Sequence, residues 1–134
     1  MSHLLDVNVL VAWGWRDHTE HQRAARWIAH ENAKTGVRFL TSPISQLGFV
    51  RVSVQRSAGA ITVGDACELL AGMLAQLGGR HVFLADDCAV EGLPVWCKGA
   101  AQTTDAHLLA LAQRHGATLA TLDGRIPGAF LLPG

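Results

Sequence analysis

The chain has 134 residues, of which 49% are hydrophobic, enough to build the core of one domain spanning residues 1–134. Eleven lysines and arginines balance eleven aspartates and glutamates, so the chain lacks the basic excess of a protein that binds duplex nucleic acid without sequence preference. The absence of a CxxC pair, a membrane-spanning apolar run or a signal peptide argues against a thiolate zinc site and favours a cytoplasmic protein without a membrane partner.

The N-terminal stretch places a carboxylate inside an apolar run. Residues 3–6 are predicted to form a strand buried on both faces, followed by a short helix over 7–12 that Gly14 ends. An unpaired charge in such a strand is costly, unless Asp6 lies where the strand ends and a cleft holds a cation. We therefore expect Asp6 to anchor a metal site.

Helical and strand patterns alternate along the rest of the chain, with residues 86–99 predicted as a loop. Ser42 and Thr62 are predicted N-caps, and Thr103 or Thr104 is predicted to cap the last helix. Predicted helices cover residues 18–34, 43–56, 62–77 and 105–115. Predicted strands cover residues 37–41, 81–85, 117–121 and 130–132.

This alternation predicts a three-layer α/β/α sandwich around a mostly parallel sheet of four to five strands. Ligand sites in such sheets form beyond the carboxyl ends of the strands. Asp6 and Asp123 both fall at or just after predicted strand ends. Asp105 is predicted to open a helix, so its carboxylate can lie at the same edge of the sheet.

Three aspartates far apart in sequence suit Mg²⁺ or Mn²⁺, which prefer oxygen ligands. Taken singly, Asp105 is more typical of a helix start and Asp123 of a turn; the joint pattern favours metal binding. The chemistry allows a phosphatase, a nuclease or a phospho-receiver. A phospho-receiver fits poorly, because the first strand carries no adjacent acid pair and no lysine follows a late strand.

Several segments occur together in a characteristic order: LDVNVL at 5–10, PISQLGFVRV at 43–52, TDAHLLALA at 104–112 and LATLD at 119–123. Asp17, His18, His21 and Trp27 lie between the first two segments. This series resembles PIN-domain proteins, and more narrowly the VapC-type toxins of bacterial toxin–antitoxin pairs. The resemblance extends over nearly the whole chain.

The resemblance implies an endoribonuclease that depends on Mg²⁺ or Mn²⁺ and has a PIN-like α/β/α fold. Such toxins usually form a homodimer, and a co-expressed antitoxin silences them by inserting residues into the acidic cleft. Water would cut the RNA phosphodiester to leave a 3′-hydroxyl and a 5′-phosphate. The family's acids match Asp6, Asp105 and Asp123, and its neighbouring polar residues match Asn8 and Thr121, which would orient ligands and waters.

One departure from the family pattern concerns the helix after Pro43, where members commonly carry a glutamate. In this chain the residue at the matching position is Gln46, whose side chain carries no charge. We therefore expect one well-held ion and a second recruited mainly by the RNA phosphate. The alternative is a catalytically weak PIN scaffold that binds RNA or its antitoxin.

Other polar and aromatic residues receive simpler interpretations. Arg51 and Trp15 are candidates for contact with RNA or an antitoxin. His18 and His21 share a predicted helix face but lack a third nitrogen or sulfur ligand, so a surface helix start is favoured. Predicted surface residues at a helix or in the 86–99 loop are His107, His115, Asp86, Asp87 and Glu91.

Overall fold

The computed structural model describes residues Met1–Gly134 and contains five strands and five α-helices. A 3₁₀ turn, Gly78–Arg80, leads into the third strand. The strands are β1 (Ser2–Leu5), β2 (Arg38–Thr41), β3 (His81–Phe83), β4 (Thr118–Thr121) and β5 (Phe130–Leu131). The helices are α1 (Val7–Gly14), α2 (His21–Asn32), α3 (Pro43–Arg56), α4 (Val63–Ala75) and α5 (Ala100–Arg114).

The sheet is parallel throughout, with strand order β3-β2-β1-β4-β5. Strand β1 lies in the middle, where Leu4 pairs with Leu40 of β2 and Leu119 of β4. The predicted three-layer α/β/α architecture with a parallel sheet is therefore confirmed. Since Asp6 follows the last residue of β1, it stands at the centre of the carboxyl edge of the sheet.

Side chains on the central strands alternate between two buried clusters, as the period of a strand requires. Leu5 and Phe39 pack into a cluster with α1, α2, α3 and α4 on one face of the sheet. Leu4, Leu40 and Leu119 pack with α5 on the other face. Both faces are thus covered, which explains why these strands are apolar along their whole length. None of the helices is long and apolar enough to cross a membrane.

The predicted caps of α3 and α4 are present. The Ser42 hydroxyl accepts a 3.3 Å hydrogen bond from the Ser45 amide, and Pro43 takes the first helical position. At α4, the Thr62 hydroxyl accepts from the Asp65 amide at 3.0 Å while the Asp65 carboxylate accepts from the Thr62 amide at 2.9 Å. These reciprocal bonds satisfy amides that a helix start leaves without partners.

The start of α5 was predicted wrongly, because the helix begins at Ala100, five residues before Asp105. Its N-cap is Gly99, and the Gln102 side-chain oxygen accepts from the Gly99 amide at 3.0 Å. Thr103 lies inside the first turn and donates back to the Ala100 carbonyl at 2.8 Å instead of capping. Asp105 and Thr104 therefore project from the side of α5, within its second turn.

Smaller differences concern other element ends. Helix α2 begins at His21, because residues 18–20 form a turn in which the His18 ring accepts from the Glu20 amide at 3.0 Å. Strand β3 ends at Phe83, which pairs with Thr41, the last residue of the neighbouring strand β2. The remaining helices and strands match their predicted positions within about two residues.

The 86–99 segment lacks regular structure, as predicted, but Asp86 is not a solvated loop residue. Its carboxylate lies 2.6 Å from the His107 ring of α5, and both side chains are largely buried. Burial works to raise the pKa of Asp86, but the hydrogen bonds from His107 and the Cys88 amide outweigh it and lower the pKa. A second, exposed pair between Arg114 and Asp87 also joins the loop to α5.

Helices α1 and α3 come into close contact at Gly48. A Cβ at position 48 would lie 2.4 Å from Cγ2 of Val7, closer than atoms can approach. Gly48→Ala should therefore lower the free energy of unfolding by about 1–3 kcal/mol, measured by urea denaturation.

The matched control is Gly72→Ala, at a helical glycine of α4 with open space around it. This substitution should raise stability by about 0.5–1 kcal/mol, because alanine is the better helix former. Equal effects of the two substitutions would contradict the close contact between α1 and α3.

Candidate active site

Asp6 joins the central strand to the first helix. Its side chain caps α1 by accepting a 2.7 Å hydrogen bond from the Val7 amide. Only 3% of the residue is exposed, so this carboxylate is nearly buried at the carboxyl edge of the sheet. No Lys, Arg or His forms an ion pair with it.

Thr121, at the end of the adjacent strand β4, holds Asp6 and two neighbours in place. Its hydroxyl donates to the second carboxylate oxygen of Asp6 at 2.8 Å. The same hydroxyl oxygen accepts from the Asn8 side-chain amide at 3.1 Å and from the Asp123 backbone amide at 3.0 Å. Asn8 also accepts from the Leu122 amide at 3.1 Å. The Thr121 hydroxyl therefore bonds to the side chains of Asp6 and Asn8 and to the backbone of Asp123, all three of them at predicted site positions.

Asp105 and Asp6 both line a cavity of about 480 Å³, which we call the acidic cavity. Its lining also includes Arg51 of α3, His18 of the α1–α2 loop and Thr104 of α5. The structure thus brings Asp6, Asp105 and Arg51 to one cavity, although residues 6, 51 and 105 are distant in sequence.

Asp123 opens onto a neighbouring outer cavity of about 360 Å³, which Asp105 and Arg125 also line. The Arg125 guanidinium donates from Nε to Oδ1 of Asp123 at 2.9 Å and from Nη2 to Oδ2 at 3.1 Å. Asp105 borders both cavities, whereas Asp123 is engaged in this two-point ion pair. As the side chains stand, no three His, Cys, Asp or Glu residues form a group that could hold a metal ion.

The three carboxylates differ in their electrostatic surroundings. Burial, followed by the negative charges of Asp105 and Asp123, raises the pKa of Asp6 to about 6, against opposing hydrogen bonds from Thr121 and Val7. Burial and the charge of Asp123 also raise the pKa of Asp105. In contrast, the hydrogen bonds from Arg125 lower the pKa of Asp123.

These carboxylates fit a hard divalent cation. Asp6 and Asp105 supply oxygen donors and share a cavity in which neither forms an ion pair. A cation such as Mg²⁺ or Mn²⁺ would offset the burial of their charge. Asp123 could join them if Arg125, whose side chain is 91% exposed, moved into solvent.

Gln46, predicted to support the acidic site, is not among the residues that line the acidic cavity. Its side-chain amide donates to the Thr41 hydroxyl at 3.0 Å, and it lines an apolar groove with Leu47 and Val50. Positions 46 and 48 point in nearly opposite directions on an α-helix, so Gln46 and Gly48 lie on different faces of α3. The residues of α3 that line the acidic cavity are Arg51 and Val52, which lie further along the helix.

Trp15 also lies outside the acidic cavity, so its predicted stacking on RNA finds no support in the structure. Its indole N–H donates to the Ser53 hydroxyl at 3.0 Å, and the Arg56 guanidinium covers one ring face at 4.8 Å. His21 bonds through Nδ1 to the Ala12 carbonyl at 2.8 Å and is not among the lining residues of the cavity that His18 lines.

Two residues near the acids were not anticipated from sequence. Arg125 forms an ion pair with the carboxylate of Asp123, and Thr104 lines the acidic cavity from the second turn of α5. The DGR tripeptide at 123–125 is typical of a tight turn, in which a residue two positions on can reach back to the aspartate. That pattern alone does not distinguish a structural ion pair from a site residue.

Known proteins resemble this chain in both sequence and structure. The model of the PIN domain family matches residues 3–129. Ribonuclease VapC38 from Mycobacterium tuberculosis is 42% identical over 133 residues, covering 96% of this chain and 88% of the relative. Ribonuclease VapC39 from the same organism is 36% identical over 132 residues, covering 94% and 91%.

Two solved structures have the same fold. Mycobacterium tuberculosis VapC20, described as a Sarcin-Ricin loop cleaving toxin, superposes with a TM-score of 0.66 at 15% identity, covering 92% of each chain. The VapBC2 structure from Rickettsia felis, bound to a DNA fragment from their promoter, gives 0.60 at 15% identity over 98% and 97%. At this level of identity the likeness concerns the fold alone.

The raised pKa of Asp6 predicts that its charge destabilises the metal-free fold. Folding raises this pKa from 3.8 to about 6, so the folded state binds the proton more tightly and stability falls as pH rises between these values. The upper bound is about 3 kcal/mol, because each pKa unit corresponds to about 1.4 kcal/mol. We expect Asp6→Asn to raise the unfolding free energy at pH 7.5 in EDTA by about 1–2 kcal/mol, since asparagine keeps the cap.

The gain should shrink at pH 4, where the wild-type carboxyl is protonated once folded. Asp65→Asn is the matched control, because the capping bonds lower the pKa of this exposed aspartate. Its substitution should therefore reduce stability at pH 7.5. A loss of stability in Asp6→Asn at pH 7.5 would show that the buried charge is compensated within the protein.

Proposed function

The chain belongs to the PIN-domain family, in its VapC branch, and from this and the acidic cavity we propose that it is a metal-dependent endoribonuclease, the toxin of a toxin–antitoxin pair. The VapC relatives are named ribonucleases. The observation that carries the proposal is the buried carboxylate of Asp6, which has no ion-pair partner and lines one cavity together with Asp105.

The residues that would hold the metal are Asp6, Asp105 and Asp123. A bound Mg²⁺ or Mn²⁺ would polarise a phosphoryl oxygen and lower the pKa of a coordinated water. Thr121 fixes the orientation of Asp6 through its donated hydrogen bond, and Asn8 fixes Thr121 in turn. Such supporting bonds keep ligand oxygens in position before the metal and the substrate arrive.

Arg51 is the residue that we assign to the RNA backbone. Its side chain is exposed and lines the acidic cavity beside Asp6 and Asp105. A guanidinium can donate two parallel hydrogen bonds to a phosphate. Because the net charge of the chain is zero, local groups of this kind, together with the metal, would have to attract the RNA.

The biological setting is also part of the proposal. We assign a cognate antitoxin as the partner and a homodimer as the assembly, following the family resemblance. The Rickettsia felis structure is of VapBC2 bound to DNA from their promoter. In this chain, Leu47 and Phe83 expose 65% and 50% of their surface beside an apolar groove between α3 and α4, which is typical of a protein contact.

The central test is RNA cleavage. Asp6→Asn and Asp105→Asn should each lower the rate of single-stranded RNA cleavage in Mg²⁺ or Mn²⁺ by at least about 100-fold, because each removes an anionic ligand. End-labelling should show 5′-phosphate and 3′-hydroxyl products from the wild type. The rate should be followed with purified protein whose fold is verified by circular dichroism.

Asp65→Asn is the control for loss of an aspartate elsewhere, since Asp65 belongs to the capping box of α4 and does not line the acidic cavity. Its cleavage rate should equal that of the wild type. Cleavage by Asp6→Asn at the wild-type rate would refute the proposed site. If the wild type binds RNA without cutting it, the chain is the catalytically weak scaffold instead.

Metal affinity provides a second test, through the ion pair of Asp123. Arg125→Ala should strengthen Mn²⁺ binding in calorimetric titration, because the guanidinium no longer competes with the ion for the Asp123 carboxylate. The gain should be only about two- to fivefold, because an exposed ion pair is weak. The matched control is Arg114→Ala, which breaks another exposed pair, with Asp87, away from the acids.

Asp123→Asn removes the carboxylate charge itself and should weaken Mn²⁺ binding, so unchanged affinity in Asp123→Asn would exclude Asp123 as a ligand. Gln46→Glu should leave affinity unchanged, because this side chain lies in the α3–α4 groove.

A further inference from the structure

A separate cavity of about 500 Å³ lies between the start of α3, the 86–90 segment and α5. We call it the side cavity. Its volume falls within the range of pockets that hold small organic ligands. The residues that matter for its chemistry are Pro43, Ile44, Val90, Asp86, His107 and Thr104.

The side cavity adjoins the acidic cavity. Thr104 lines both, and the next residue, Asp105, carries one of the proposed metal-binding carboxylates. A group bound in the side cavity could therefore contact Thr104, the residue that precedes Asp105 in the site where the phosphodiester is proposed to react. A flexible strand with one phosphate in the acidic cavity could place its neighbouring nucleotide in the side cavity.

The walls of the side cavity suit a flat ring with a polar edge. Pro43, Ile44 and Val90 contribute apolar surface, whereas Asp86 and His107 supply hydrogen-bonding groups. Each Asp86 oxygen already takes part in one hydrogen bond, with the Cys88 amide at 3.0 Å and with the His107 ring at 2.6 Å. A carboxylate has about four acceptor positions, so Asp86 can still accept from a ligand N–H.

We propose that the side cavity binds one unpaired base of the RNA substrate, next to the bond that is cut, through the amino or imino N–H edge of that base. The inference rests on the proposed ribonuclease function. Proteins read single-stranded RNA by taking unstacked bases onto apolar or aromatic surfaces and hydrogen-bonding their edges. The side cavity would then select which sequence is cleaved, while the acids perform the reaction.

The first experiment measures base binding without cleavage. Methyl NMR of Ile- and Val-labelled protein is followed during titration with AMP, GMP, CMP and UMP, and with ribose 5-phosphate as the control without a base. At least one nucleotide should cause saturable shifts of the Ile44 and Val90 methyl groups, whereas ribose 5-phosphate should not. Asp86→Asn, which keeps the size of the side chain, should weaken that binding by about tenfold.

The second experiment measures sequence preference with a pool of random single-stranded RNA. The wild type should favour one base beside the cleavage position. Ile44→Trp fills the side cavity and should abolish this preference. Val63→Trp is the matched control on the exposed first turn of α4, and it should leave the preference intact.

The inference is overturned if no nucleotide shifts the two methyl groups, or if Asp86→Asn and Ile44→Trp keep the wild-type affinity and preference. These outcomes separate the two proposals. Cleavage without base binding would refute the side cavity as a site and leave the ribonuclease function standing. Base binding at these methyl groups without cleavage by the wild type would refute the ribonuclease function and retain the base site.

Discussion

The hydrogen bond from Thr121 to Asp6 is the contact on which the site depends. It joins the end of β4 to the end of β1, and through the same hydroxyl it positions Asn8 and the backbone of Asp123. The parallel pairing of the two strands brings these ends together, so the sheet places Asp6 and Asp123 before any ligand is present. The cost is a nearly buried carboxylate with a raised pKa.

Helix α5 connects the functional regions of the molecule. Asp105 lines the acidic cavity, Thr104 lines both the acidic cavity and the side cavity, and His107 bonds to Asp86 of the preceding loop. These residues span four positions, about one turn of helix. Reaction and recognition are therefore proposed to be arranged around a single rigid element, which limits their relative movement.

The sequence was sufficient to predict the α/β/α fold, because buried strands and amphipathic helices differ in period and in capping residues such as Ser42 and Thr62. It also placed Asp6 at a strand end. It failed at α5, where the N-cap is Gly99, which lacks the side-chain oxygen of a Ser or Thr cap, and only the Gln102 half of a capping box marks the helix start. Features set by three-dimensional contact, such as the Asp86–His107 pair and the orientation of Gln46, have no local pattern in the sequence.

The crossing of α1 and α3 restricts how this chain could evolve. Gly48 contacts Val7, the residue directly after Asp6, so the wall of the acidic cavity and the helix packing share one pair of positions. An acidic side chain at position 48 would need a smaller residue at position 7 to make room for it. We therefore expect substitutions at these two positions to be epistatic, because a larger residue at one of them needs a smaller residue at the other.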